Sequence, residues 1–427
     1  MDSNIEKDFK KGSISKQSKI KNNLGKIKSN YFLKNLFFTL SKGKLLNIIK
    51  YNKNIQKFLD INIKNYKLYC KTFTPIEIEI IPNKNVYGKF INFNVNKLYY
   101  HIYFNNSKEE IRKNYFTEID NVQKINIIID YHVKSFQNLF ANCNCIQSIN
   151  FKKFYRKNIS NMSGMFLGCS LLKELNISNF NTDKVISMES MFEHCSSLKK
   201  LDVSHFNTNK VNTMRTMFFQ CSSLKKLDVS HFNTGNVIDM ANMFFGCSTL
   251  KELNVSNFNT NKVIDMTNMF SICSTLENLD VSHFNTNNVL YMSFMFGQCS
   301  SLKELDVSHF NTNNAILLDL MFYECSSLKE LDVSHFNTNN VTNMKGMFFE
   351  CSLLKKLDVS NFNTYNVIDM SFMFDGCLLL DELDLSHFNT NNVIDMKCML
   401  RRCSDDLKNK IRKKYNNFHD SAFNDTD

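Results

Sequence analysis

The chain has 427 residues, with 52 lysines and arginines against 41 aspartates and glutamates and a formal net charge of +11. The excess is local, because residues 1–120 hold 23 basic and 10 acidic residues whereas residues 121–427 hold 29 and 31. The near-neutral remainder lacks the basic stripe of a nucleic-acid-binding surface, so we expect no nucleic acid among the partners.

The first 120 residues divide into a tail and a small module. Residues 1–30 are polar and of low complexity, which predicts a disordered basic tail. Residues 31–120 predict an α+β module, helical over 31–70 and with strands over 75–104, where apolar and polar residues alternate. The N-terminus has no apolar core typical of a secretory signal, and lysines interrupt the most apolar stretch. We therefore expect an intracellular chain with reduced cysteines.

The helical stretch 36–59 combines apolar spacing with basic flanks and has three interpretations. We favour a packing element of the N-terminal module. Contact with a membrane surface or a partner helix is the second interpretation. The third is an F-box-like helix, to which the pattern is similar, and such helices often precede leucine-rich repeats in substrate adaptors.

From residue 121 to residue 403 the sequence is a tandem array with a period of 26 residues. Eleven of the 14 cysteines stand 26 residues apart, from Cys143 to Cys403. Two methionine columns follow the same period and, together with Met1, include all 20 methionines. One unit of 26 residues cannot enclose a core alone, so we expect about eleven stacked coils.

Within one coil the predicted secondary structure changes from helix to strand. Apolar residues from Met188 to Cys195 stand at i, i+3, i+4 and i+7, which predicts the buried face of a two-turn helix. In residues 201–204, Leu-Asp-Val-Ser, apolar and polar residues alternate, which predicts a short strand with Asp and Ser facing outward. The one lapse inside the array, AILLDL at 315–320, is interpreted as core variation.

The motif Leu-x-x-Leu-x-Val, as in residues 198–203, alternates with Met-x-x-Met-Phe-x-x-Cys. This combination resembles the BspA-like leucine-rich-repeat surface proteins, in their 26-residue repeat class, over about residues 122–403. The resemblance implies an α/β solenoid of the leucine-rich-repeat type, with one short parallel strand and one short helix per coil. It also implies a binding role, such as adhesion, and a cell-surface location as the alternative to an intracellular one. Residues 404–427 predict a C-terminal capping helix and tail, which begins at Ser404.

The repeated cysteines and histidines predict structure more than chemistry. The cysteines share the inward face with Met and Phe, and a straight column does not converge on a zinc ion. Asparagine replaces histidine in the column that includes His205 and His231, which favours a hydrogen-bonding turn residue over a metal or pH role. No catalytic motif breaks the symmetry of the array, so we expect no enzyme, no cofactor and no metal.

The outward Asp and Ser rows give the predicted partner-binding site, because the open sheet face is the usual docking surface of leucine-rich repeats. The predicted residues are Asp202, Ser204, Asp228, Ser230, Asp280, Ser282, Asp306, Ser308, Asp332, Ser334, Asp358 and Asp384. We therefore expect a non-enzymatic, monomeric interaction scaffold that recognises a protein ligand. An exported adhesin of the BspA-like type and an F-box-like substrate adaptor are the alternatives.

Overall fold

The computed structural model describes residues 74–93, 97–130 and 133–424. From Pro75 onward the chain forms one compact unit. The predicted tail 1–30, the predicted helical stretch 31–70 and the three interpretations of residues 36–59 lie outside the described residues.

A mixed sheet opens the described part of the chain. Seven strands are present, namely β1 (Ile76–Pro82), β2 (Gly88–Lys89), β3 (Tyr100–Phe104), β4 (Tyr115–Phe116), β5 (Ile125–Ile129), β6 (Ile146–Lys153) and β7 (Glu174–Asn176). The main sheet has the order β3-β5-β1-β6-β7, and β2 pairs with β4. Only β6 and β7 run parallel among these pairs. The sheet crosses the boundary predicted at residue 120, because β1 pairs with both β5 and β6.

The repeat array is a stack of eleven coils joined by parallel backbone bridges. One column of bridges links residues 26 apart, from Ser135 through Ser187 to Asp395. The stack is open, and its neighbouring coils lie about 4.8 Å apart, as adjacent strands do.

The helix predicted in each coil is wrong. Within residues 74–93, 97–130 and 133–424 the one α-helix is α1 (Asp405–Lys414), and three short 3-10 helices cover Lys97–Tyr99, Glu118–Asp120 and Asp420–Ala422. No helix in this part of the chain has both the length and the hydropathy needed to cross a bilayer.

Turns replace the predicted helix because backbone N–H groups alternate between two kinds of partner. The N–H groups of Ser190 and Phe192 donate to carbonyls of the next coil at 3.0 and 2.9 Å, whereas Met191 and Glu193 donate three residues back. Ser190 and His194 have φ angles of 55° and 56°, in the left-handed region that interrupts a right-handed helix. The inward spacing of Met, Phe and Cys is nevertheless the predicted one, and these side chains are buried.

The predicted strand in each coil is also wrong for most of the array. In the Leu-Asp-Val-Ser segments after β7, the described bridges are isolated pairs, Glu252 with Asn278 and Glu330 with Lys356. The physical reason is local competition. The N–H of Ser204 donates to the Asp202 side chain at 3.0 Å, so it is not available to a ladder.

Columns of identical side chains hold the coils together. The Phe192 ring stacks on Phe166 and Phe218 with centroids 5.6 and 5.7 Å apart. The Cys195 thiol donates to the Phe166 carbonyl at 3.3 Å. Thr286 Oγ1 donates to the Asn311 carbonyl at 2.9 Å and accepts the Asn311 N–H at 2.7 Å. Each column therefore repeats a coil-to-coil contact.

The last coils end on an ionic cluster and α1. Asp375 is fully buried, and it accepts hydrogen bonds from Arg401 Nε at 2.9 Å and Arg402 Nε at 2.8 Å. Ser404 caps α1 by accepting the Leu407 N–H, and Leu407 and Ile411 are buried. The segment in which the sequence predicts a cap thus closes the core of the stack.

We expect Thr286→Val to lower the free energy of unfolding by about 2 kcal/mol, because it leaves a buried N–H and C=O without their side-chain partner at nearly constant volume. Chemical denaturation of the full chain measures the change. Thr267→Val is the matched control, since this half-buried threonine lies on the outside of the stack. Equal losses in the two variants would contradict the role of the threonine column.

Candidate functional site

Two concave surfaces in the described chain lie on the groove face, which consists of residues 199–204 and their equivalents at 26-residue steps. One groove of about 850 Å³ lies over Leu227, which is only 6% exposed and forms part of its floor. Its walls include Lys225, Lys226, Asp228, Lys251 and Glu252. The same six positions of each repeat therefore provide both the floor and most of the walls.

A second groove of about 770 Å³ lies three coils further along the same face. Its walls are Lys303, Glu304, Asp306, Lys329, Glu330 and Asp332, and Leu305 and Leu331 lie beneath them. The charge of the walls differs between the grooves, with lysines in excess in the first and acids in excess in the second. A ligand that spans these coils meets a non-uniform pattern of charge.

The predicted Asp and Ser residues lie on this face, but they bind one another. Asp332 Oδ1 accepts both the N–H of Ser334 at 3.0 Å and its hydroxyl at 2.6 Å. The same Asx turn recurs at Asp202, Asp228, Asp280, Asp306, Asp358 and Asp384, each with the serine two residues on. Asn254 makes the identical pair of bonds with Ser256. In each coil the predicted Asp and Ser thus form a hydrogen-bonded pair that stabilises a turn.

These bonds stabilise the ionised carboxylates. The hydroxyl and then the N–H of Ser334 lower the pKa of Asp332, and the corresponding serines lower the pKa values of Asp202, Asp228, Asp280 and Asp306. One oxygen of each carboxylate is committed to its turn, so the charge that faces a ligand comes from the second oxygen.

Asp384 differs from the other predicted residues because the C-terminal segment covers it. Tyr415 Oη donates to Asp384 Oδ1 at 2.8 Å, and Lys414 Nζ lies 3.7 Å from the same oxygen. The hydrogen bond from Tyr415, followed by those from Ser386, lowers the pKa of Asp384 to about 2. This carboxylate anchors the end of the stack.

The histidine column borders the groove face, and three of its six histidines bond to the backbone, whereas His309 and His387 contact the preceding serine hydroxyl and the buried Nε2 of His205 has no hydrogen-bond partner in the described part of the chain. His231, His283 and His335 place Nε2 at 2.8–3.0 Å from a valine carbonyl of an earlier coil. Asn257 and Asn361 also donate to a backbone carbonyl of the preceding coil, that of the serine next to the equivalent valine, so asparagine can replace histidine. Within the described residues, no three His, Cys, Asp or Glu side chains are grouped so as to hold a metal ion.

The cysteine column is buried away from any surface. Burial raises the pKa values of Cys221, Cys273 and Cys351 to about 12, so these thiols are not ionised near neutral pH. Their hydrogen atoms are donated to phenylalanine carbonyls at 3.1–3.2 Å. Such thiols act as core side chains.

The residues that sequence reasoning missed are the charged columns beside the aspartates. At the positions of Lys199 and Lys200 other repeats carry different residues, for example Lys251 and Glu252, or Glu277 and Asn278. The available signal was this variation within an otherwise uniform array. Side chains that vary from coil to coil are free of the constraint that neighbours impose on the uniform columns.

Comparison with known families gives one match. A family described as "Mycoplasma protein of unknown function, DUF285" matches residues 134–253, 221–331 and 317–424, which together span most of the described repeats and more than half of the chain. No curated protein and no solved structure matches the chain.

We expect Asp332→Ala to lower the free energy of unfolding by about 1 kcal/mol, the usual scale for losing a side-chain cap. Asp332→Asn should be nearly neutral, because Asn254 supports the same turn elsewhere in the array. Urea denaturation of both variants separates the two cases. If alanine and asparagine had equal effects, the Asx turn would not be the structural role of this row.

The pH dependence of stability should include a contribution from Asp384. Its folded pKa lies below the ordinary 3.8, so its stabilising effect is complete above pH 3.8 and is lost as the pH falls towards 2. Tyr415→Phe removes the principal cause of the shift and should flatten the fall in melting temperature between pH 4 and pH 2. Tyr365→Phe, at a tyrosine that is 58% exposed, is the control and should leave the slope unchanged.

Proposed function

This chain belongs to the family described as "Mycoplasma protein of unknown function, DUF285", and we propose that it is a non-enzymatic, monomeric recognition protein that binds a protein partner along its groove face. The observation that carries the proposal is the pair of grooves of about 770 and 850 Å³ at equivalent positions of different coils. Their exposed walls vary in charge over a constant leucine floor.

We also propose that the coils are a variant of the leucine-rich-repeat solenoid, of the 26-residue BspA-like class. The buried leucine and valine of each Leu-x-x-Leu-x-Val motif support this assignment. On the opposite side of each coil, a series of turns replaces the short helix that the leucine-rich-repeat class predicts. Solving the structure by crystallography tests both the path of the coil and the position of the motif.

A recognition role is favoured over catalysis by the state of the reactive side chains. The cysteines are buried with raised pKa values, and His231, His283 and His335 bond to backbone carbonyls. A nucleophile or a general base needs an accessible and special environment, whereas these residues repeat one environment from coil to coil. The variable groove walls provide the asymmetry that selective binding needs.

Adhesion at the cell surface is a second candidate and uses the same groove face. It follows from the BspA-like resemblance and differs from the first candidate in where the chain resides. Labelling of intact cells with a membrane-impermeant reagent separates the two. Labelled protein supports adhesion, whereas labelling that requires permeabilised cells supports an internal scaffold.

We expect the double variant Lys225→Glu and Lys226→Glu to weaken partner binding at least tenfold, because charge reversal in the groove wall opposes a complementary partner. The partner is captured with the immobilised full chain, identified by mass spectrometry, purified and titrated. Its affinity for the variant is then compared with that for the native chain.

The control is the double variant Lys184→Glu and Lys210→Glu, which makes the same change of charge at two exposed turn lysines outside the groove face. It should bind as the native chain does. Loss of binding in the control and retention in the groove variant would place the partner elsewhere.

A further inference from the structure

An aliphatic row follows the outside of the turn segments, away from the groove face. Ile238, Ile264, Leu290 and Ile316 occupy one position in four consecutive coils, and the N–H of each later residue donates to the carbonyl of the one before at 2.9 Å. Ile238 and Ile264 are 47% and 42% exposed, and the other two are half-buried. The row is therefore continuous and reaches solvent.

The next position along the chain breaks the symmetry of the array beside this row. In nine coils it holds Ser, Thr, Asn or Asp, whose side chain accepts the N–H two residues on, as Asp265 does from Thr267 at 2.9 Å. In the remaining two coils it holds Tyr291 and Leu317, which are half-buried. These coils give up a side-chain cap and gain outward apolar surface.

Each of these two coils also has a bulky apolar residue with a left-handed backbone, as Ile272 and Phe372 have elsewhere in the array. Phe294 and Leu320 both have a φ of 57°, in the left-handed region, where the preceding two coils have Asn242 and Asn268. Bulky apolar residues are rare there, because the Cβ atom comes too close to the following carbonyl oxygen. The next coil accommodates the larger side chain with Gly346, where an added Cβ would lie 2.7 Å from Leu320 Cδ2.

The core does not explain these residues. In the AILLDL segment, Ala315 and Leu318 are buried and fill the core, whereas Leu317 and Leu320 remain partly exposed on the outside. Part of the segment is thus surface, which corrects its interpretation as core variation. Strain, a missing cap and exposed apolar surface at one place together indicate a contact that the isolated chain does not make.

The charge around the patch selects its occupant. On the turn side of the four coils from Ile238 to Glu324, the acids are Asp239, Asp265, Asp319 and Glu324, and no lysine or arginine is present at the outward positions. Arg215 lies at one end, 3.2 Å from Asp239 and 3.4 Å from Asp265, and the charge of Lys345 in the following coil acts on Asp319 at the other end, so the four acids outnumber the two bases. Two copies of this patch placed face to face would oppose acid with acid, so a basic partner is favoured over a second copy.

We propose that Leu290, Tyr291, Phe294, Ile316, Leu317 and Leu320 form a second docking surface, which takes an amphipathic helix with basic residues beside its apolar stripe. Apolar residues three and four apart on a helix recur about every 5–6 Å along its face, close to the coil spacing of about 4.8 Å. Alternate residues of an extended strand recur at about 6.6 Å and fit the row less well.

The test uses the full chain and a fluorescent synthetic helix of about three heptads, with leucine on one face and lysine elsewhere. The patch variant replaces Tyr291, Phe294, Leu317 and Leu320 with asparagine, which leaves the net charge unchanged. We expect it to bind the helix at least tenfold more weakly than the native chain does. Its melting temperature should be equal or higher, because two strained residues are relieved and two caps are regained.

The control variant carries Ile186→Asn and Ile394→Asn, at exposed residues of the same row outside the patch. It should bind within twofold of the native chain. A large fall in the melting temperature of the patch variant would make the patch a structural element and overturn the proposal.

Three other results would also overturn it. One is equal binding by the native chain and the patch variant. Another is equal binding of a helix with glutamate in place of lysine, since the charge argument would then fail. The third is a native dimer in sedimentation that the patch variant dissociates, because a second copy would then be the occupant.

Discussion

The whole array depends on one constraint, which is that every second N–H of the turn segment must find a carbonyl in the next coil. Ser190, Phe192 and His194 donate across the stack, and the residues between them donate backwards within their own turn. An insertion of one residue would exchange the two sets. It would also move the inward Met, Phe and Cys out of register with their equivalents in the neighbouring coils, so the period of 26 residues is fixed by hydrogen bonding as well as by packing.

Because neighbouring coils lie about 4.8 Å apart, each side chain contacts the side chains at the same position of the coils before and after it. This contact explains most of the uniform columns. Phenylalanine stacks on phenylalanine, and each threonine bonds to the backbone of an asparagine in the next coil. The turn asparagines bond to one another, as Asn285 does to Asn261 at 2.8 Å. Uniformity is therefore a property of self-contact. Recognition is more readily carried by positions that vary, such as those of Lys225 and Glu277.

The sequence was sufficient to predict the repeat, its period and the inward residues, because burial depends on spacing. The same spacing gave a wrong prediction of secondary structure. Met188, Met191 and Cys195 would lie on one face of a helix, but a series of turns also places them in the core. Glycine or asparagine at positions such as Gly164, Gly168 and Asn242 was the missed signal for left-handed residues. The Asp and Ser rows were correctly placed outside. Their mutual hydrogen bonds depend on the backbone geometry of the turn, which the alternation of apolar and polar residues does not predict.

A stack of coils also explains how bulky residues with a left-handed backbone, such as Phe294, Leu320 and Phe372, can persist in the array. Because each coil contacts mainly its neighbours, the stability of the array is nearly a sum over coils and their interfaces. The left-handed Phe294 and Leu320 therefore lower the stability of their own coils, while the phenylalanine, threonine and cysteine columns continue through those coils unbroken. In an architecture with such local energetics, a change in one or two coils leaves the period of the others intact.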